Sequence, residues 1–547
     1  MIRPRFPALL AVPESVRVGP DAPPGQDRRT RSATVRRTAA AYRPTPERLR
    51  AALPLTAVLA LAAVLRFWAL DATGFNSDEA VYTGTAASLA GDPTLQQFFP
   101  VFRAHPLLLP TLLSIVPGRG IDDFSARVVT ALIGVACVAL TYLLARRLYG
   151  RRAALAAALL LAVMPYHVVV SRQVLLDGLL TLCATGALYA VVRYVQTERL
   201  PWLLAAGAAL GATVLAKETG LVMVLGLIAF FVFTRGVPVR PRHLLYATGV
   251  MIVVMAAFPL AVILAGHHQG GQDYVLWQLF RRANHHPWFY ATTVPGALGW
   301  AVLAAALIGL VWLRRQHGWR ESLLLWWMAA PVFFFDLWPV KGYQYLLPIA
   351  PPLAVLAGRT LAAVARLPRR ASWPRWAAPA ASVLLCLGAA ASLAVPAAAR
   401  IDPAPTGALL AGTGGLPGGR EAGHWVRANV PEGGRLLAAG PSLANVLQFY
   451  GHRGVSALSV SGSALHHNPA YVPVPNPDRA LRTGQFQYVV WDSYTAARSP
   501  FYGEKMRKLA DKFHGIVVYT GVERIRTGPG GAHADRETVV IYKVRTP

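Results

Sequence analysis

Residues 128–170 read VVTALIGVACVALTYLLARRLYGRRAALAAALLLAVMPYHVVV, and this stretch decides the architecture. The apolar runs 125–145 and 153–170 are each long enough to cross the hydrocarbon core of a bilayer, which takes about 20 residues. Between them stand Arg146, Arg147, Arg151 and Arg152, with no acidic residue. A basic turn between two spans marks a cytoplasmic loop by the positive-inside rule.

Working outward, similar runs occur at 53–70, 174–192, 201–216, 218–234, 243–265, 294–313, 322–338, 343–364 and 376–397. The composition agrees: of 547 residues, 54% are hydrophobic and 15% charged, against about 25% charged in a soluble protein. A soluble cytosolic enzyme is excluded. The expected fold class is a polytopic α-helical membrane protein of about 11 transmembrane helices, with the termini on opposite sides. The net charge of +28 is explained by the loops assigned inside, which carry Arg193, Arg199, Arg235, Arg240, Arg242, Arg314, Arg315, Arg320, Arg366 and Arg375. No basic-aromatic surface of the nucleic-acid type accompanies it, so nucleic acid is not expected as a partner. Cys137, Cys183 and Cys386 all lie in apolar runs and read as small core residues.

Three regions follow. Residues 1–50 hold eleven arginines and few large apolar residues, which predicts a disordered basic cytoplasmic tail. Residues 51–397 form the transmembrane domain, whose first outer loop, 71–124, is too long for a structureless connection. A helix is expected from Asn76 to Gly91-Asp92-Pro93 and another from Pro106. The segment 267–293, with His267, His268, His285 and His286, reads as a rim or lid rather than a domain. From 398 the chain turns mixed polar, with helices and strands alternating to 547, which predicts an extracytoplasmic α/β domain.

The chemistry is expected on the outer side. Asn76-Ser77-Asp78-Glu79 follows the first span. It can be a plain capping arrangement, or it can present a carboxylate that takes a proton from an attacking hydroxyl. Arg103 and His105 stand in the same loop, and Tyr82 follows Asp78 by one helical turn. Arg172 and Asp177 mark the outer edge of another span; five residues apart, they point about 140° from each other on a helix, so at least one has another partner. Lys217 ends one outer hairpin, and Lys341 precedes Tyr345 and Pro348 at the start of a further span. If Arg172, Lys217 and Lys341 converge, they make an anion site fit for a phosphate. The chain has no phosphate-cradling glycine loop, no nucleophile elbow and no zinc-protease motif.

In this order the motifs resemble those of the C-type (GT-C) glycosyltransferases of family 39 and their relatives, which include protein O-mannosyltransferases and the bacterial lipid A aminoarabinose transferase. Asp78-Glu79 matches the acidic pair after the first span, and His105-Pro106-Leu107 matches a His-Pro-Pro-Leu element that here lacks its second proline. Arg172 to Asp177, Lys217, and Lys341 with Tyr345 and Pro348 match the later motifs. The resemblance implies GT-C architecture and an inverting transfer from a polyprenyl-phosphate sugar to a hydroxyl on a protein, polysaccharide or glycolipid. Asp78 would be the general base, with Glu79 and His105 helping to position groups. Arg172, Lys217, Lys341 and Tyr345 would hold the donor phosphate, supported by Tyr82, Arg103 and Asp177. No organic cofactor is implied; Asp78, Glu79 and His105 offer donors that a divalent cation could use. The expected location is the plasma membrane, with the site facing out. The competing reading is a transporter or flippase of lipid-linked sugars, with Asp177, Lys217 and Asp336 as transport charges.

Overall fold

The computed structural model describes residues 46–102, 105–116, 121–266, 277–367, 374–403, 415–526 and 533–545. Most of the basic tail, Arg103, His267 and His268 lie outside the described residues. All eleven apolar runs are helical. Helix α1 (Pro46–Phe67) leads to α2 (Ser77–Leu89), which lies in the long loop that follows it. There follow α3 (Asp123–Tyr149), α4 (Arg151–Val163), α5 (Pro165–Ser171), α6 (Leu176–Thr197), α7 (Leu200–Ala216), α8 (Val222–Phe233) and α9 (Pro241–Met255). The series continues through α10 (Ala257–Leu264), α11 (Phe289–Leu298), α12 (Trp300–Trp312), α13 (Trp319–Leu337), α14 (Ala350–Val364) and α15 (Ala377–Ile401).

By length and apolar content, five of the described helices can cross a membrane, or seven when each bent pair counts as one span. That is fewer than the eleven runs: two are divided, and four, among them 322–338, do not form a helix both long and apolar enough. Proline at 165 and glycine at 299 break two runs: α4 and α5 meet at 59°, α11 and α12 at 92°. Gly299 has φ +92°, a conformation that a side chain disfavours. Three other runs form shorter apolar helices, Ala52–Phe67, Leu200–Ala216 and Glu218–Phe233.

Helices α7 and α9 pack through Gly207 and Gly211, spaced as in Gly-x-x-x-Gly contacts. A methyl group on Gly207 would sit 2.2 Å from the Ala247 carbonyl oxygen, so the backbones touch only because it is absent. Large apolar side chains such as Leu225, Val232, Phe333 and Leu384 remain exposed, as befits a surface solvated by lipid.

Past α15 the chain folds into helices α16 (Gly419–Asn429), α17 (Pro441–Gly451), α18 (Pro477–Arg482), α19 (Ser493–Arg498) and α20 (Pro500–Lys512) around a five-stranded sheet. The strands are β1 (Arg435–Ala438), β2 (Gly454–Ala457), β3 (Tyr488–Asp492), β4 (Ile516–Arg526) and β5 (His533–Lys543), in the order β2-β1-β3-β5-β4. Parallel pairing joins β1 to β2 and β3, while β5 runs antiparallel to β3 and β4. Alternating residues face opposite sides of the sheet. Leu437 and Val489 pack with Met506 and Leu509 of α20 on one face. Leu436, Ala438 and Val490 face the other way, into a core with Val426 and Val446 that continues into the helical part of the chain.

Candidate active site

Asn76 starts α2. Its side-chain carbonyl accepts the N–H groups of Asp78 and Glu79, both at 3.0 Å, and Glu79 Oε2 accepts the Asn76 N–H at 3.0 Å. This capping box satisfies backbone donors that a helix start leaves open. It also fixes which way the two acidic residues point, since neighbours on a helix diverge by about 100°.

Glu79 turns inward and is wholly buried. Arg127, near the start of α3, grips it with two hydrogen bonds of 2.7 and 2.8 Å. Glu79 also accepts the Val174 N–H at 3.1 Å. Arg127 spends its remaining donors on the carbonyls of Leu70, Thr73 and Gly74. The pair therefore ties the loop after α1 to α3 and to the start of α6. Burial of two charges is tolerable here because each finds complete hydrogen bonding.

Asp78 turns the other way, and its side chain is exposed. Desolvation by the surrounding protein raises its carboxyl above the ordinary carboxylate value. Lys217, His105 and Arg281 oppose that rise, and Asp177 adds to it. One turn on, buried Tyr82 sets its ring edge-on to His105, 5.8 Å between centroids. His105 Nδ1 lies 3.0 Å from Glu218 Oε2. The neighbouring Lys217 is buried with its ammonium 3.0 Å from both oxygens of Asp177 and 4.2 Å from the centroid of the Tyr345 ring. Arg281 stacks on Trp277 at 4.4 Å.

Asp78, Tyr82, His105, Asp177, Lys217 and Tyr345 thus come from five separate stretches of chain to line one region. Arg172 and Lys341 are engaged elsewhere. The Arg172 guanidinium donates to the carbonyls of Leu65, Arg66 and Trp68 at 2.7–3.2 Å, which satisfies the C-terminal end of α1. The Lys341 ammonium does the same for α13 through the carbonyls of Asp336, at 2.7 Å, and Phe335, at 3.3 Å. Cations belong at helix C-termini, where the carbonyl dipoles end. Asp78, Glu79 and His105 do not form a common donor set, because Glu79 faces Arg127 and His105 faces Glu218. Among the described residues, no three His, Cys, Asp or Glu side chains are grouped to hold a metal ion.

Arg127, Glu218 and Arg281 were not singled out as site residues from sequence. Arg127 could have been: a charge in the first turn of an apolar helix is costly without a partner. Arg281 stands in a segment that reads only as a rim.

Residues 104–262 match the family model described as dolichyl-phosphate-mannose-protein mannosyltransferase. An undecaprenyl phosphate-alpha-4-amino-4-deoxy-L-arabinose arabinosyl transferase of Pseudomonas fluorescens is 32% identical over 264 residues, 44% of this chain and 46% of the relative. One of the same name from Pectobacterium carotovorum is 26% identical over 46% of this chain and 49% of its own. The chain spans about half the length of the curated relatives it matches. Among solved structures, ArnT from Cupriavidus metallidurans bound to undecaprenyl phosphate superposes with a TM-score of 0.64 at 18% identity, over 90% of this chain and 98% of that one. The oligosaccharyltransferase of Archaeoglobus fulgidus superposes with a TM-score of 0.54 at 16% identity, over 89% and 74%. The chain is a multi-pass membrane protein with the fold of these structures, and its residues 104–262 are similar to the mannosyltransferase family model.

Proposed function

We propose that this protein is an inverting glycosyltransferase that moves a sugar from a polyprenyl-phosphate donor to a hydroxyl acceptor on the outer face of the membrane. The observation that carries the reading is the division of labour at the head of α2. Glu79 is locked to Arg127, and Asp78 is left exposed among Lys217, His105 and Arg281. In the reaction, Asp78 takes the acceptor proton as the hydroxyl oxygen attacks the anomeric carbon. The bond from that carbon to the phosphate oxygen breaks, and the electron pair leaves on the phosphate.

Stabilising the leaving phosphate is the main electrostatic task. Asp177 already balances the charge of Lys217, so Arg281 supplies the net positive charge, and Lys217 supplies a positioned donor. Tyr345, beneath Lys217, lines the donor side. Glu79 is a positioning residue in this account, His105 is oriented by Glu218, and Arg172 and Lys341 act as helix caps rather than phosphate ligands. An apolar groove of about 650 Å³ between α8 and α13, lined by Leu225, Trp326, Phe333 and Trp338 among others, suits the polyprenyl tail. Its Trp338 end adjoins Lys341, which brings the tail toward the charged region. Outward placement of the site and of the α/β domain follows from the arginine-rich loops on the opposite side.

The test is binding of undecaprenyl phosphate to the protein in nanodiscs. Lys217→Ala and Arg281→Ala are each expected to weaken Kd about tenfold, or about 1.4 kcal/mol. Unchanged affinity in both variants overturns the phosphate assignment.

A further inference from the structure

We infer that the α/β domain is a working part of the catalytic loop, with Tyr450 of α17 as a positioning residue that acts on Asp78 through residues 75–77. The inference rests on the reading of Asp78 as the general base.

The segment before Asp78 is held from two sides: Arg127 takes the carbonyls of Leu70, Thr73 and Gly74, and the α/β domain takes Phe75 and Ser77. The Phe75 N–H donates to the Tyr450 hydroxyl at 2.8 Å, and the Phe75 carbonyl accepts the Leu416 N–H at 3.1 Å. Both backbone groups of this buried residue are thereby satisfied by one partner domain, which leaves its peptide no other arrangement without loss. The Phe75 ring lies 5.2 Å from that of Phe449 and 6.0 Å from that of Tyr450. Two residues on, Ser77 Oγ accepts from Asn445 Nδ2 at 2.9 Å, and the same amide nitrogen donates to the Tyr471 hydroxyl at 2.8 Å. Asn445 is fully buried. Upstream, Arg420 donates to the Asp71 carbonyl at 2.8 Å.

Tyr450 is the centre of this latch because its hydroxyl works in both directions. It accepts from Phe75 and donates to Asp123 Oδ2 at 2.8 Å, and Arg420 reaches the same oxygen at 3.3 Å. Burial first, and then the Asp123 charge, push the Tyr450 hydroxyl pKa upward, so it stays protonated and remains a donor. Asp123 and Arg127 share the first turns of α3, and Arg127 holds Glu79. Residue 77 is therefore fixed by the α/β domain and residue 79 by α3, and Tyr450 joins those two supports. Asp78 is the residue between them, with its side chain left exposed. Reaction geometry is sensitive to such support, since a displacement of about 1 Å can cost about a hundredfold in rate.

The experiment compares wild type, Tyr450→Phe and Asp78→Asn, all full-length in nanodiscs. It combines amide hydrogen exchange with turnover of polyprenyl-phosphate sugars from a membrane-lipid extract. Tyr450→Phe keeps the ring and removes only the hydroxyl. The expected result is faster exchange in a peptide covering residues 75–80, unchanged exchange in α6, kcat lower by about tenfold, and an unchanged KM for the donor. A general loss of fold would instead speed exchange in α6 as well, and that result overturns the inference. So does turnover in Tyr450→Phe equal to wild type while Asp78→Asn is inactive. Turnover that survives Asp78→Asn removes the base assignment, and the inference falls with it.

Discussion

At the scale of single residues, the proposal that Asp78 is the general base makes the chemistry depend on its protonation state. A general base works only when deprotonated. Withdrawal from water raises the Asp78 carboxyl, so the protonated, inactive form persists to higher pH than for a free aspartate, whose pKa is about 3.9. Activity should therefore fall as pH drops through a value higher than that of a free aspartate. Lys217→Met should move that limb further up, because Lys217 is the leading group that favours the charged form. A pH–rate profile of wild type and this variant checks both statements, and a limb that stays in place on loss of Lys217 contradicts the second. The acidic pair was legible in the sequence as a pair; which member faces in was not. That choice is made by Arg127, 48 positions beyond Glu79. The outer cations were legible as charges at span ends. Their partners were not, because the carbonyls that occupy Arg172 belong to residues more than a hundred positions away.

Elements are set by how closely backbones can approach. Helices α7 and α9 meet where Gly207 leaves no room for a side chain. Gly207→Leu should force them apart and destabilise the protein by about 1–3 kcal/mol, the usual range for overpacking. A lower thermal midpoint in detergent is the expected reading, and a midpoint equal to wild type contradicts the packing described. Apolar run length read the helices well. It did not foresee that the bends at Pro165 and Gly299 would divide two runs, because the break depends on one residue within an otherwise continuous pattern. In the α/β region, strand β2 is four residues long and lies at a sheet edge, so it leaves little pattern in the sequence. The β4–β5 hairpin extends past its apolar residues, helped by the Arg536–Glu523 ion pair across the strands at 2.8 Å. Charged cross-strand pairs of that kind leave no hydrophobic pattern to read.

For the molecule as a whole, spans, the loop after α1 and the α/β domain form one framework around Asp78. Phe75, Phe449 and Tyr450 belong to the same continuous core as the transmembrane helices. Burying an aromatic ring of this kind contributes about 1.5–3 kcal/mol, enough for a few such rings to keep the domain seated. The central claim is that this framework serves sugar transfer with Asp78 as base. Its most direct test is mass spectrometry of polyprenyl-phosphate sugars in a total membrane-lipid extract incubated with purified wild type or Asp78→Asn. The account predicts that wild type converts one such lipid to free polyprenyl phosphate, while Asp78→Asn, folded and still binding undecaprenyl phosphate, slows conversion by about a hundredfold or more. Conversion by Asp78→Asn at the wild-type rate, or the absence of any consumed lipid with wild type, would contradict it.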